Sequence, residues 1–353
     1  MSKFLSNLYS SLKEYVPGEQ PQDKKYVKLN TNESPFPPSP GVIAAVNGEE
    51  VSKLCLYSDP ESKLLKAELA KSYSLKPENV FVANGSDDIL NFAFMAFARE
   101  NGAAFPDISY GFYPVFADLY NIDADIIPLE DDFSIAPEKY HSCGKMVVIA
   151  NPNAPTGKTL SRAEIEEIIK TNPDNVVLID EAYVDFGADS VVDMVNKYDN
   201  LLVVQTFSKS RSMAGARLGF AFADKEIIKD LEKIKYSTNP YNLNRLTQLM
   251  GVKALGEQEY YDNNCKIIAE NREFTVSELE KLGFTVIPSK ANFIFAKHNT
   301  LSGEKIYLDL KDRGVLIRHF TSERIKDYNR ITIGTLQQMQ VLVDTLKSIT
   351  GEV

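Results

Sequence analysis

The chain has 353 residues, 44% hydrophobic and 25% charged, with 39 Lys and Arg against 49 Asp and Glu for a net charge of -10. That make-up belongs to an ordinary globular protein with room for two domains, and its acidity argues against nucleic acid or an anionic membrane surface as the main partner. Three scattered cysteines, Cys55, Cys143 and Cys265, give neither a disulfide framework nor a zinc pattern, and His141 beside Cys143 lacks a second ligand pair.

Residues 1–40 read as an arm. Met1–Asn7 lacks the apolar core of a signal peptide and no run reaches membrane-spanning length, so a cytoplasmic location is expected. Tyr15-Val-Pro-Gly18 breaks any helix, and Leu29-Asn-Thr-Asn-Glu-Ser-Pro35 runs into a proline cluster that ends at Pro40. Such a segment buries little by itself and should pack across something larger.

From about residue 78, short apolar runs alternate with amphipathic stretches. The runs are Val80–Asn84, Ala103–Phe105, Asp125–Leu129, Met146–Ala150, Val176–Asp180, Leu201–Thr206 and Gly219–Ala223. Several are apolar at almost every position, the mark of strands covered on both faces in a largely parallel sheet. Between them, Asp87–Glu100 spaces Leu90, Phe94 and Phe97 as a helix does, and Ser161–Lys170 does so with Ile165 and Ile168. Residues 41–240 are therefore expected to form an α/β layer domain. After Pro240 the order changes. Leu243–Leu255, Glu257–Leu282, Glu304–Arg313 and Leu336–Ile349 read as helices, and Phe284–Ile287, Asn292–Ala296, Val315–Arg318 and Arg330–Ile333 as strands. The expectation for 241–353 is a smaller α+β domain.

Ligands of an open α/β sheet bind beyond the carboxyl ends of its strands. Asn84-Gly-Ser-Asp-Asp88 follows a strand and opens a helix, where backbone N–H groups favour a phosphate; ordinary capping by Ser86 or Asp87 explains the same residues. Asn151-Pro-Asn-Ala-Pro-Thr-Gly157 is a rigid loop after Met146–Ala150, which a plain connection would also explain. Asp180 ends a buried strand, where a carboxylate needs a cation or strong donors; a protonated pyridine nitrogen, a helix cap or a metal would each serve. Tyr110-Gly-Phe-Tyr113 offers either core aromatics or a face on which a planar ring can stack. Thr206-Phe-Ser-Lys-Ser-Arg-Ser-Met-Ala-Gly-Ala-Arg-Leu-Gly-Phe220 follows another strand and contains no acid. Its Lys209 is framed by hydroxyls, with Arg217 further on. Taken together these stretches supply a stacking ring, a phosphate turn, an aspartate and a lysine, the requirements of pyridoxal phosphate bound through a lysine.

Asn153-Ala-Pro-Thr-Gly157, Asp180-Glu-Ala-Tyr183, Ser208-Lys209 with Arg217, and Arg330-Ile-Thr-Ile-Gly-Thr335 resemble the class I/II pyridoxal-phosphate aminotransferases. The likeness spans nearly the whole chain with order and spacing kept. The arm's Tyr15–Gly18 and Leu29–Pro35 are similar to the opening of the subgroup that acts on histidinol phosphate. The resemblance implies a fold type I α/β architecture, with a mostly parallel seven-stranded sheet between helices and a smaller α+β domain. It further implies a homodimer with shared active sites, pyridoxal 5′-phosphate as cofactor, and an amino donor and a 2-oxo acid as substrates. Aromatic amino acid transamination and threonine-phosphate decarboxylation are the alternative activities on such a scaffold.

Carried over by motif, Lys209 would bond to the cofactor, Asp180 would pair with its ring nitrogen, and Tyr183 would contact its phenolate oxygen. Tyr110 would stack on the ring. Ser86, Asp87, Ser208 and Arg217, with Thr206 nearby, would hold the phosphate, joined by Tyr57 from the other subunit. Arg330 matches the arginine for a substrate carboxylate or its counterpart, and Arg318 and Tyr15 are candidates for the substrate's phosphate end. One departure stands out. Relatives often place asparagine immediately before Pro-Thr-Gly to bond the phenolate oxygen; here that position is Ala154, so either Asn153 or Tyr183 covers the contact or the bond is absent.

Overall fold

The computed structural model describes residues 4–6, 9, 10, 12, 13 and 15–351. The arm contributes a short strand, β1 (Val27–Lys28). The apolar runs then form β2 (Val80–Ala83), β3 (Ala103–Pro106), β4 (Ala124–Ile127), β5 (Met146–Ala150), β6 (Val177–Asp180), β7 (Leu201–Thr206) and β8 (Gly219–Ala223). These seven pair in the order β2-β8-β7-β6-β5-β3-β4. Every strand runs the same way except β8, which is antiparallel to both its neighbours.

Alternate side chains along each strand enter two separate cores. Val147, Ile149, Val177, Ile179, Leu201 and Val203 face one, beneath the helices Lys63–Ser72, Arg162–Thr171 and Arg245–Leu255. Met146, Val148, Leu178, Leu202 and Val204 face the other, with side chains of the helices Ser86–Phe97, Phe112–Tyr120 and Lys225–Thr238. Burial on both faces explains why these runs are apolar at every position instead of alternating. Each buried Leu, Ile or Val contributes about 1.5–3 kcal/mol relative to exposure. Helix Arg162–Thr171 starts at a capping box between Ser161 and Glu164, and helix Leu336–Thr350 at one between Thr335 and Gln338.

The remaining strands are β9 (Phe284–Ile287), β10 (Phe293–His298), β11 (Val315–Leu316), β12 (Arg318–His319) and β13 (Asn329–Thr332). β12-β13-β10-β9 form an antiparallel sheet, packed against the helices Gln258–Lys281, Gly303–Asp312 and Leu336–Thr350 through a third core. The sequence suggests a single strand over Val315–Arg318; the structure breaks it after Leu316. Val315 and Leu316 pair in parallel with the arm's β1, while Arg318 and His319 pair with β13. The break lets two residues hold the arm and the next two join the sheet. Among the described residues, no helix is long and apolar enough to cross a membrane.

Candidate active site

Strand direction gathers the polar turns at one edge of the large sheet. β2, β3, β5, β6 and β7 run parallel, so the turns after them emerge together. β8 runs the other way and therefore begins at that edge. Its Gly219 sits opposite both Thr206 of β7 and Ala83 of β2, which carries Arg217 to the turn after β2. Only glycine fits at 219, because a Cβ there would collide with the backbone of Gly85 and Ser86.

Arg217 Nη2 donates to Asp87 Oδ2 at 2.8 Å, and Nη1 reaches Ser208 Oγ at 3.5 Å. The other Asp87 oxygen accepts from the Tyr110 hydroxyl at 2.6 Å. Gly85, with φ 89°, occupies the cap position of helix Ser86–Phe97 and has no side chain to accept from its first turn. Asp87 thus serves Arg217 and Tyr110 rather than capping the helix. The Ser208 N–H donates to Thr206 Oγ1 at 3.1 Å, fixing the start of the Lys209 loop.

Asp180, at the end of β6, is buried. Its Oδ2 accepts from the Tyr113 hydroxyl at 2.9 Å and its Oδ1 from the Ala182 N–H at 3.1 Å. Burial pushes its carboxyl up to about 6, although both hydrogen bonds and the nearby Lys209 favour the charged form. A buried carboxylate that receives only neutral hydrogen-bond donors is suited to a cationic ligand group. Lys209 Nζ donates to Thr31 O at 3.4 Å and lies 5.6 Å from the centre of the Tyr183 ring. The Tyr183 hydroxyl accepts from Asn32 Nδ2 at 3.0 Å.

Ser86, Asp87, Tyr110, Asp180, Tyr183, Thr206, Ser208, Lys209 and Arg217 all line a cavity of about 80 Å³. A larger cavity, about 590 Å³, is lined by Tyr15, Arg318 and Arg330 and shares Tyr110, Ala154, Tyr183 and Lys209 with the smaller one. In it, Arg330 Nη2 donates to Asn30 O at 2.9 Å, its Nε is buried without a protein partner, and burial lowers its pKa. Arg318 donates to the Pro17 and Val16 carbonyls at 3.1 and 3.0 Å, so both arginines touch the arm. Tyr15 packs on Phe112 with ring centres 4.3 Å apart.

Two of the expected residues do not line these cavities of the single chain, and one of them, Tyr57, is the residue assigned to the other subunit's site. Asn153 lines neither cavity, and its side chain is committed to the fold. Oδ1 accepts from Ser109 Oγ at 2.8 Å, while Nδ2 donates to Ile108 O at 3.0 Å and Thr156 Oγ1 at 3.1 Å. Its amide holds the Pro-Thr-Gly loop in shape. Tyr57 also lies outside both cavities, exposed and stacked on Tyr241 at 4.6 Å. Conversely, the structure adds Tyr113 as a donor to Asp180 and Asn32 as a donor to Tyr183. Both belong to stretches singled out in the sequence, but nothing in their spacing points to these partners.

The donor set suits a ligand with a phosphate, a cationic ring and a carbonyl. Arg217, Ser208 and Ser86 supply cationic and hydroxyl partners for the first, Asp180 an anion for the second, and Lys209 an amine for the third, while the Thr206 hydroxyl beside them donates to Leu218 O at 3.3 Å. No group of His, Cys, Asp and Glu among the described residues could hold a metal ion.

The profile of the family described as "Aminotransferase class I and II" matches residues 24–346. The chain is 52% identical to a histidinol-phosphate aminotransferase of Marinomonas sp. (strain MWYL1) over 99% of this chain and all of that relative. It is 48% identical to one of Brachyspira hyodysenteriae over 99% of both. Among solved structures, the histidinol-phosphate aminotransferase of Sinorhizobium meliloti, in complex with pyridoxal-5′-phosphate, shares the fold. Its TM-score is 0.89 at 21% identity, covering 99% of this chain and 98% of that one.

Proposed function

The chain belongs to the class I and II aminotransferases, and from that premise we propose that it moves the amino group of histidinol phosphate to 2-oxoglutarate, with pyridoxal 5′-phosphate as cofactor. The observation that carries this reading is full-length identity to relatives of that name, 52% in one case, joined to a site with Lys209, Asp180 and Arg217 around one cavity.

The Ser86–Asp87 turn, Ser208 and Arg217 would hold the cofactor phosphate, with Thr206 nearby, and Tyr110 would stack on its ring. Asp180 would face the ring nitrogen and keep it protonated, since an anion beside a cation favours the charged form. Bound there, the cofactor supplies the electron sink for the bonds at the substrate's reacting carbon. Lys209 would hold the cofactor through its Nζ and serve as the acid–base group beside the reacting carbon. Its task is to take the proton from the substrate's amine-bearing carbon and return it one atom away. A positioned acid–base group of this kind contributes typically about 10²–10⁴-fold. Tyr183 would donate to the phenolate oxygen.

Histidinol phosphate carries no α-carboxylate and glutamate carries two carboxylates, so one cavity must accept both. Guanidinium binds phosphate and carboxylate through the same bidentate geometry. Arg330 is assigned to the carboxylate or its counterpart, and Arg318 with Tyr15 to the substrate phosphate. We further infer a homodimer, supported by the exposed apolar side chains Ile43, Leu54, Leu56 and Tyr57, which a second copy would cover; Tyr57 would then reach the other subunit's site. The same reading divides the chain into the arm 1–40, a large domain 41–240 and a small domain 241–353, and places the enzyme in the cytoplasm.

A panel of histidinol phosphate, phenylalanine and threonine phosphate as substrates tests the proposal. Preferred transamination of histidinol phosphate supports it. Turnover of phenylalanine far above histidinol phosphate, or decarboxylation of threonine phosphate, overturns the substrate assignment.

A further inference from the structure

Tyr183 belongs to the wall shared by the two cavities, as does Ala154. Ala154 has only a methyl group and cannot donate a hydrogen bond, and the Asn153 amide is used up within its loop. Behind Tyr183, two buried side chains leave its proton little choice. The Asn32 N–H donates to Thr332 Oγ1 at 3.0 Å, and Thr332 Oγ1 donates its own proton to Asn32 Oδ1 at 3.0 Å. With Oδ1 occupied, the Asn32 amide must present Nδ2 to the Tyr183 oxygen, 3.0 Å away. The reversed amide would leave the Thr332 hydroxyl proton without an acceptor, since Asn32 is its acceptor among the described residues, and a buried unmade bond of that kind is unfavourable.

Asn32 itself is held in place by more than this pair. Its carbonyl accepts from Asn292 Nδ2 at 3.1 Å, and its φ of 55° is a left-handed conformation that asparagine tolerates better than most residues. The arm and β13 are tied again by the Thr332 N–H donating to Leu29 O at 2.9 Å. The amide that meets Tyr183 is therefore fixed from both sides, by residues distant in the chain.

We propose that Thr332 and Asn32 form a positioning relay that commits the Tyr183 hydroxyl proton to the cofactor's phenolate oxygen, the contact that Ala154 cannot make. The proposal rests on pyridoxal phosphate being the cofactor. Because the Tyr183 oxygen already accepts from Asn32, its proton is free to point into the cavity, and the accepted bond makes the phenol a stronger donor. Donation onto the phenolate draws off negative charge that would otherwise hold a proton on the neighbouring Lys209-linked nitrogen. Loss of the relay should leave that charge in place and raise the pH at which the proton departs.

The test is a pH titration of the visible absorbance of the cofactor-loaded protein, in the absence of substrate. Asn32→Asp keeps the shape but replaces the Nδ2 donor by an acceptor, and Thr332→Val removes only the hydroxyl that orients the amide. Both should move the midpoint upward, Asn32→Asp by on the order of one pH unit, the scale of one charge-assisted hydrogen bond. Tyr183→Phe should produce a similar rise, and the Asn32→Asp/Tyr183→Phe double variant no further rise, because both remove the same contact. Midpoints that stay at the wild-type value in Asn32→Asp and Thr332→Val overturn the relay, as does a double variant whose shifts add in full. A wild-type protein that takes up no cofactor and shows no visible band overturns the functional reading instead; a normal band with an unmoved midpoint overturns the relay alone.

Discussion

Arg217 Nη2 and Asp87 Oδ2 lie 2.8 Å apart, linking the residues just before β8 to the turn after β2. The contact exists because β8 runs against its neighbours: the antiparallel strand begins where the parallel ones end. A strand that instead ran with the rest would carry Arg217 to the far edge of the sheet. One reversal in strand direction thus brings Arg217 to the edge where Asp87 and Ser208 stand.

Arg217→Met should weaken pyridoxal phosphate selectively. A hydrogen bond to a charged group is worth roughly 1.5–3 kcal/mol, or about 10–100-fold in Kd. Equilibrium dialysis against pyridoxal phosphate and against unphosphorylated pyridoxal separates the effect: the first should lose that affinity and the second should change little. Equal losses for both would detach Arg217 from the phosphate.

Asp180 should make cofactor binding pH-dependent. Its pKa in the folded, cofactor-free chain is raised from 3.8 to about 6 by burial, so the folded state holds a proton that the unfolded state releases. The stability of the cofactor-free protein therefore falls as pH rises from about 4 through about 6, by on the order of 3 kcal/mol for this group. A cationic ring favours the ionised carboxylate, so cofactor affinity should rise over the same window. Thermal melts across pH, with and without cofactor, check both slopes. Asp180→Asn should melt higher than wild type at pH 8 without cofactor and gain less from adding it.

Gly219→Ala should damage the site through the backbone alone. Its added Cβ meets Gly85 and Ser86 main-chain atoms, which cannot rotate away as a side chain would. Overpacking of this kind costs about 1–3 kcal/mol or more. Denaturant melts should show a lowered midpoint, and the cofactor affinity should fall with it, since the shifted atoms are those of the turn proposed to hold the phosphate.

Arg318→Gln should separate the two substrates. Removal of a charged donor to the substrate phosphate should raise KM for histidinol phosphate by about 10–100-fold, with a smaller change for glutamate. Steady-state kinetics in both directions measure the split, and an equal rise for both substrates would reassign Arg318 to a structural hold on the arm through the Val16 and Pro17 carbonyls.

The sequence made the sheet edge readable because its chemistry is local. Lys209, Ser208 and Arg217 share one loop after an apolar strand, and Asp180 ends a strand that is apolar throughout. A β-type run covered on both faces also needs no long-range knowledge to be noticed. The contacts of the arm are different. Asn32 meets Tyr183 across 151 positions and Thr332 across 300, and no periodicity encodes a pairing of that reach. The same reason hid the break in Val315–Arg318, whose first half pairs with the arm. The partners of Asn153 were hidden in the same way: Ser109 and Ile108, which hold its amide, come from a separate stretch.

Lys209 is proposed to bond the cofactor. Borohydride reduction of the pyridoxal-phosphate-loaded protein, followed by proteolysis and mass spectrometry, reads that bond directly. The account predicts a single phosphopyridoxyl group on the peptide containing Lys209, and none on that peptide in Lys209→Ala, which should also lose its resting visible band and nearly all transamination. A label fixed on a different lysine, or full transamination by Lys209→Ala, would contradict it.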